Sequence, residues 1–141
     1  MRPFLVAIIG LAVTAAHAAM PPAVYQKARA DAPLHVQVAI SDVAIPELTP
    51  SSCLVTGEVV RVFRDTPGVL SVGDTIDFAV SCSRAGDRVP IGGALWTNAD
   101  ALSAARFIEV YLIDSGASFE VARDQSRIIE APSDTPQFPE D

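Results

Sequence analysis

Two cysteines, Cys53 and Cys82, sit in two segments of the same alternating character, and they constrain the middle of the chain more than any other feature. Cys53 to Arg64 and Thr75 to Arg84 each repeat apolar and polar residues with period two, the pattern of a half-buried strand. A ten-residue connection rich in Asp, Pro and Gly joins them. Opposite residues of an antiparallel hairpin have a constant index sum. Setting Cys53 against Cys82 then pairs Val55 with Val80, Gly57 with Phe78 and Val59 with Ile76. The other face pairs Leu54 with Ser81, Thr56 with Ala79, Glu58 with Asp77 and Val60 with Thr75. One face is apolar and the other mostly polar, and a one-residue slip mixes them. The register that buries a core also brings the cysteines together. A Cys53–Cys82 disulfide is therefore expected, closing a loop of about 30 residues and contributing on the order of 3 kcal/mol in the chain-entropy model.

The N-terminus agrees with an oxidising destination. Met1-Arg2-Pro3 is a short basic start, Phe4 to Ala16 is a largely apolar run of thirteen residues, and Ala16-His17-Ala18 supplies small residues around a cleavage site. This is the layout of a secretory signal peptide, and the run is too short for a helix to cross a bilayer. Cleavage after Ala18 leaves residues 19–141, periplasmic or secreted, with no membrane span. An even pair of cysteines in such a product is most simply a disulfide. A CxxC redox motif does not occur.

Pro21-Pro22 followed by Ala23 to Ala30 predicts a short N-terminal helix, ended by Asp31-Ala32-Pro33. Leu34 to Val43 alternates, with Leu34, Val36, Val38 and Ile40 on one face and His35, Gln37, Ala39 and Ser41 on the other. Thr97, with Asp100 three residues on, resembles a capping box opening a two-turn helix. Arg106 to Ile113 and Ser118 to Ile129 read as a further hairpin, with Leu112 set against Phe119 and Val110 against Val121. The fold class expected is mainly β: a five-stranded OB-fold-like Greek-key barrel, with a short helix between strands 3 and 4 and a short N-terminal helix. The domains expected are a signal peptide (1–18), a helical lead-in (19–33), the barrel (34–130) and a flexible acidic Pro-rich tail (131–141) that cannot build a core.

The strings Cys53-Leu-Val-Thr-Gly-Glu-Val-Val-Arg-Val-Phe-Arg64 and Val72-Gly73-Asp74-Thr75-Ile76-Asp77-Phe78 resemble the netrin-like and metalloproteinase-inhibitor (TIMP-like) branch of OB-folds. Asp87-Arg88-Val89-Pro90 and Leu95-Trp96-Thr97 also look like small exported proteins of proteobacteria. The resemblance spans residues 34–113 and implies the barrel. TIMP-like inhibitors chelate a protease zinc with an N-terminal cysteine. The expected mature start here is Ala19-Met20-Pro21, so that chemistry does not carry over.

Charge and residue types narrow the function. Formal net charge is −7 over 141 residues, and removing Arg2 leaves nine basic residues against 17 acidic ones, or −8. Nucleic-acid binders carry a basic footprint, so none is expected as a partner. Glu130, Asp134, Glu140 and Asp141 crowd the last twelve residues with no basic residue among them. The mature chain has one histidine, His35, and neither a nucleophile elbow nor a phosphate-binding motif. No catalytic residue, cofactor or metal site is assigned; Glu58, Asp77 and Asp74 read as a solvated face balanced by nearby arginines. Arg84, Arg88, Trp96 and Arg106 form the candidate partner-binding segment, a tryptophan among arginines suiting an acidic or sugar-like partner. The preferred reading of the same residues is that Trp96 plugs the open bottom of the barrel while the arginines pair with Asp87 and Asp100. The function expected is a non-catalytic exported binding or protein-interaction module, its partner another envelope protein or a small ligand. The competing expectations are an envelope enzyme inhibitor of TIMP-like fold without the N-terminal cysteine, or an accessory subunit of an envelope enzyme.

Overall fold

Leu34, Val36 and Val38 face Leu112, Val110 and Ile108 across an antiparallel pair of strands, and all six are fully buried. They are the centre of a barrel. The computed structural model describes residues 20–141; the expected signal peptide lies outside the described residues. The elements run α1 (Pro22–Asp31), β1 (Leu34–Ala44), β2 (Ser51–Asp65), β3 (Thr75–Ser83), β4 (Thr97–Asn98), α2 (Ala99–Ala104), β5 (Phe107–Asp114) and β6 (Phe119–Ile129). The sheet order is β2-β1-β5-β6-β3, and β2 pairs with β3 to close it, while the two-residue β4 adds to β3. The long pairings are all antiparallel; β3 with β6 is parallel and only two residues long, Phe78 with Phe119 and Ala79 with Glu120, and β3 with β4 is likewise short and parallel. The protein is thus a closed five-strand mixed β-barrel of OB-fold-like connectivity, with α2 between its third and fourth long strands.

The β2–β3 hairpin keeps the expected faces in a different register. Cys53, Val55, Gly57, Val59, Ile76, Phe78, Val80 and Cys82 all turn inward. Cys53, however, lies opposite Val80, and Cys82 opposite Ser51, a shift of two residues from the expected pairing. An even shift leaves every side chain on its own face, so hydrophobic patterning cannot distinguish the two registers. Strand twist shortens one diagonal of such a pair. The Cys53–Cys82 disulfide forms across that diagonal, with the Cα atoms 5.8 Å apart. The shift also separates Glu58 from Asp77. Glu58 faces Thr75, and Asp77 accepts a 2.7 Å hydrogen bond from the Thr56 hydroxyl on its own cross-strand partner.

The β5–β6 hairpin is displaced in the same way. Leu112 faces Val121 rather than Phe119, because the loop holds Ser115 to Ser118. Further along, Arg123 (φ 41°) and Asp124 (φ 59°) form a bulge in the left-handed region, and Val110 faces Ser126. The Asp124 carboxylate uses this turn to accept from the Ser81 hydroxyl and the Leu95 N–H, tying β6 to β3 and to the long loop before β4. Asn98, not Thr97, caps α2, its side chain accepting from the Ala101 N–H at 2.9 Å. The short helix delivers Ala99 and Leu102 into the core.

Gly57 marks the tightest approach between strands. A Cβ there would overlap the Ala39 carbonyl and the Val38 side chain on β1, where that strand is bulged between Ile40 and Asp42. Glycine within a strand commonly marks such close approach. Gly57→Ala is expected to cost about 1–3 kcal/mol by overpacking, at the upper end because the obstacle is backbone. Leu102→Ala should cost about 2–5 kcal/mol through the cavity it leaves. Denaturant titration of the two variants checks both.

Candidate functional site

The strands β1 and β5 are buried on both faces. Their outward side chains, His35 and Gln37 on one and Glu109 and Tyr111 on the other, are cross-strand partners: His35 faces Tyr111 and Gln37 faces Glu109. The His35 and Tyr111 rings stack at 3.9 Å between centroids, inclined by 18°. Relative exposure is 3% for His35, 1% for Gln125 of β6 and 0% for Gln37, Glu109 and Tyr111. Each polar group so buried needs a hydrogen-bond partner, since an orphan costs roughly 1–3 kcal/mol and more when charged.

His35 is bonded within the barrel, to Glu109, and Gln125 to the Arg123 carbonyl and Arg29; further partners for Gln37, Glu109 and Tyr111 come from outside the barrel. Residues 131–141 cross this face, and their main chain meets its polar groups. Gln137 and Phe138 donate their backbone N–H groups to the two Glu109 carboxylate oxygens, both at 2.9 Å. The Ser133 N–H donates to Gln37 Oε1 at 2.8 Å, and Gln37 Nε2 donates to Glu109 Oε2 and to the Ser133 hydroxyl. The Tyr111 hydroxyl donates to the Phe138 carbonyl. The Phe138 ring meets Tyr111 edge-on at 5.5 Å, with the Arg127 and Arg29 guanidinium groups 4.4 and 4.8 Å from its centroid. Together with Ala32 and Ala122, Tyr111 forms a second small core against which Phe138 packs. The tail was expected to build no core, and this is a correction. Its one aromatic residue, spaced between Pro136 and Pro139, completes a cluster that the barrel begins.

Two of the tail's three acidic residues are likewise answered by arginines. Glu140 pairs with Arg64, and Asp134 lies 3.4 Å from Arg61. Arg64 also donates to the Arg29 and Ala32 carbonyls at the end of α1. Arg29 bonds the Gln125 side chain and the Glu140 carbonyl. Four of the nine basic residues outside the expected signal peptide thus gather on one face: Arg29, Arg61, Arg64 and Arg127.

Glu109 is the hub. His35 and Phe138 bond its Oε1, Gln37 and Gln137 its Oε2, which fills the four acceptor sites of a carboxylate. Burial pushes its pKa up, but these hydrogen bonds outweigh burial and hold it below the ordinary value. Burial lowers the His35 pKa, with Glu109 opposing and Arg64 adding to the shift. The imidazole is therefore neutral, with its proton on the Nε2 that faces the ionised carboxylate. Burial and the Glu109 charge push the Tyr111 hydroxyl up to about 12.

Both shifts give a pH dependence of one sign. A histidine whose folded pKa is depressed contributes stability that is lost as pH falls below its ordinary 6.5. A carboxyl with a depressed folded pKa contributes stability that is lost as pH falls through 4.5 and below. Acidification from pH 7 to pH 4 is expected to loosen the tail before the barrel melts. Hydrogen exchange of the Gln137 and Phe138 amides across this range checks it; exchange protection independent of pH would contradict it.

The segment chosen from sequence has a different layout. Arg84 donates to the Pro46 carbonyl and Arg106 sits over the Phe107 ring, while Arg88 is exposed in the loop. Trp96 is half-buried and is not among the residues packed in the barrel core, where Ala99 and Leu102 reach instead. Its indole N–H is buried with no partner among the described residues. A cavity of about 660 Å³ lies between α1, the loop at Gly93–Ala94 and the β6 bulge, bringing Asp31, Arg123 and Asp124 onto otherwise apolar walls. Among the described residues, no three His, Cys, Asp or Glu side chains come together as a metal site, and no helix is long and apolar enough to cross a membrane. The tail-covered face escaped the sequence reading because polar residues at period two look like a solvated strand face. The available signal was Gln37 and His35 recurring beside Glu109 and Tyr111, with a lone Phe in a proline-spaced tail.

No family model matches the chain, and no curated protein matches it. Fold and site together define a class, an OB-fold-like barrel with one side that holds an extended segment of chain.

Proposed function

We propose that the protein is an exported, non-catalytic interaction module of the periplasm or cell exterior. The observation that carries this reading is the face of β1, β5 and β6. Three of its fully buried polar side chains, Gln37, Glu109 and Tyr111, exchange hydrogen bonds with an extended segment lying across it, through both main-chain and side-chain contacts. Extended-segment recognition of this kind draws affinity from backbone hydrogen bonds and specificity from side-chain pockets. Export is supported by the basic-apolar-small layout of residues 1–18 and by the Cys53–Cys82 disulfide. A TIMP-like barrel is compatible with the topology, but fold alone carries no inhibitory activity.

Two measurements test the reading. Mass spectrometry of protein recovered from the envelope or medium should give a chain beginning at Ala19 with a two-proton deficit for the disulfide. Cross-linking of the tagged protein in intact envelopes should yield a defined heteromeric adduct through residues of this face. A product retained inside the cell with residues 1–18 attached, or a chain that turns over substrate with His35 and Glu109 required, would overturn it.

A further inference from the structure

We infer that the β1/β5/β6 face is a receptor for an acidic, aromatic-anchored extended peptide of a partner protein, and that residues 131–141 occupy it in cis as a competing ligand. The inference rests on the interaction-module reading and gives that site its partner chemistry.

The bound tail defines what the receptor selects. Two successive backbone N–H groups must reach Glu109, so the anchor position and the one before it must not be proline. An aromatic side chain must enter between Tyr111, Arg29 and Arg127, where ring and guanidinium contacts favour Phe. A carboxylate two positions after the anchor must meet Arg64, as Glu140 does. Charge sets the sign of the partner. The whole chain is strongly acidic, yet this face gathers Arg29, Arg61, Arg64 and Arg127; tail carboxylates pair with Arg61 and Arg64, and tail carbonyls accept from Arg29 and Arg127. An acidic segment from outside would meet the same complement.

Attachment sets the competition. The tail follows β6 directly, with Ile129 the last residue of that strand and Ser133 already bonded to Gln37. So short a tether gives an effective concentration of about millimolar. A partner segment of equal intrinsic affinity then binds the intact chain far more weakly than a chain whose tail has been loosened. The tail sets a threshold: only a segment that is better matched, or presented at high local concentration, displaces it.

The test uses the full chain and a synthetic peptide with the sequence of residues 131–141. Fluorescence anisotropy of the labelled peptide is measured against wild type, Phe138→Ala and Glu140→Ala, each checked for fold by circular dichroism. Phe138→Ala should bind the peptide at least tenfold more tightly than wild type, with Glu140→Ala between them. Should Phe138→Ala fail to fold, Glu140→Ala, altered at an exposed position, supplies the comparison. Replacing Phe by Ala in the peptide, or methylating the amides equivalent to Gln137 and Phe138, should each weaken binding at least tenfold. Equal affinity for all three proteins, or no binding by a folded variant at millimolar peptide, would overturn the inference. So would oligo-dT binding as tightly as the peptide, which would make the face a general polyanion surface. The two readings fail distinguishably. A cross-linked partner that the peptide cannot displace removes this inference and leaves the interaction module standing. Peptide binding without any partner adduct in envelopes shows a different failure: the face then holds only its own tail, and the interaction-module reading falls together with the partner.

Discussion

A fully desolvated carboxylate holds this molecule's outer layers in place. Taking an ion out of water costs several kcal/mol even after relaxation, and only good geometry with every lone pair occupied offsets that. Glu109 meets the condition with partners from two distant parts of the chain: His35 and Gln37 on β1 and two main-chain amides of the tail. Removing any one contributor leaves the charge short of a bond in a dry environment. The tail, the neutral state of His35 and the orientation of Gln37 are thus one arrangement, and none of them stands alone. Networks of this kind are worth more together than their separate deletions suggest.

The barrel was largely legible in the sequence because its information is parity. Leu34, Val36 and Val38, the inward residues of both hairpins and the cysteine pair all follow from period two, and the structure has each on the expected face. Register was not legible. Both hairpins sit two residues from the expected pairing beside their loops, an error to which alternation is blind, and the Arg123–Asp124 bulge then moves Val110 five residues along β6, from Val121 to Ser126. Neither bulge residue is glycine, so nothing in the sequence announces the turn. The helix cap also lies one residue on: the two-residue pairing with β3 takes in both Thr97 and Asn98, and the helix begins only after it, so Asn98 caps.

The tail-covered face was misread for a physical reason. Hydrophobic pattern identifies what must leave water, and the tail of residues 131–141, with its prolines and acids, has little that must. Phe138 alone needs cover. What anchors the segment is the barrel's need for hydrogen bonds, a demand that resides in Glu109 and Gln37 and not in the tail. Such reciprocal satisfaction leaves no periodic trace. The arginine–tryptophan segment drew attention because its residues are rare in the chain, but rarity did not bring them to a common site. The arginines that do converge are scattered at 29, 61, 64 and 127, and only the curl of the barrel and the return of the tail unite them.

The seams of the barrel are unequal. From β2 through β1 and β5 to β6 the strands form one continuous antiparallel ribbon, and β3 is bound to β2 by a long ladder and a covalent staple. The last joint, β3 to β6, has two parallel pairs backed by the Asp124–Ser81 bond. Free energies of local opening are lowest where paired backbone is sparse, and in this cylinder that line is the β3–β6 joint, while the disulfide holds β3 to β2. Local opening is therefore expected first along that slit, on the side away from the β1–β5 pair that carries the tail.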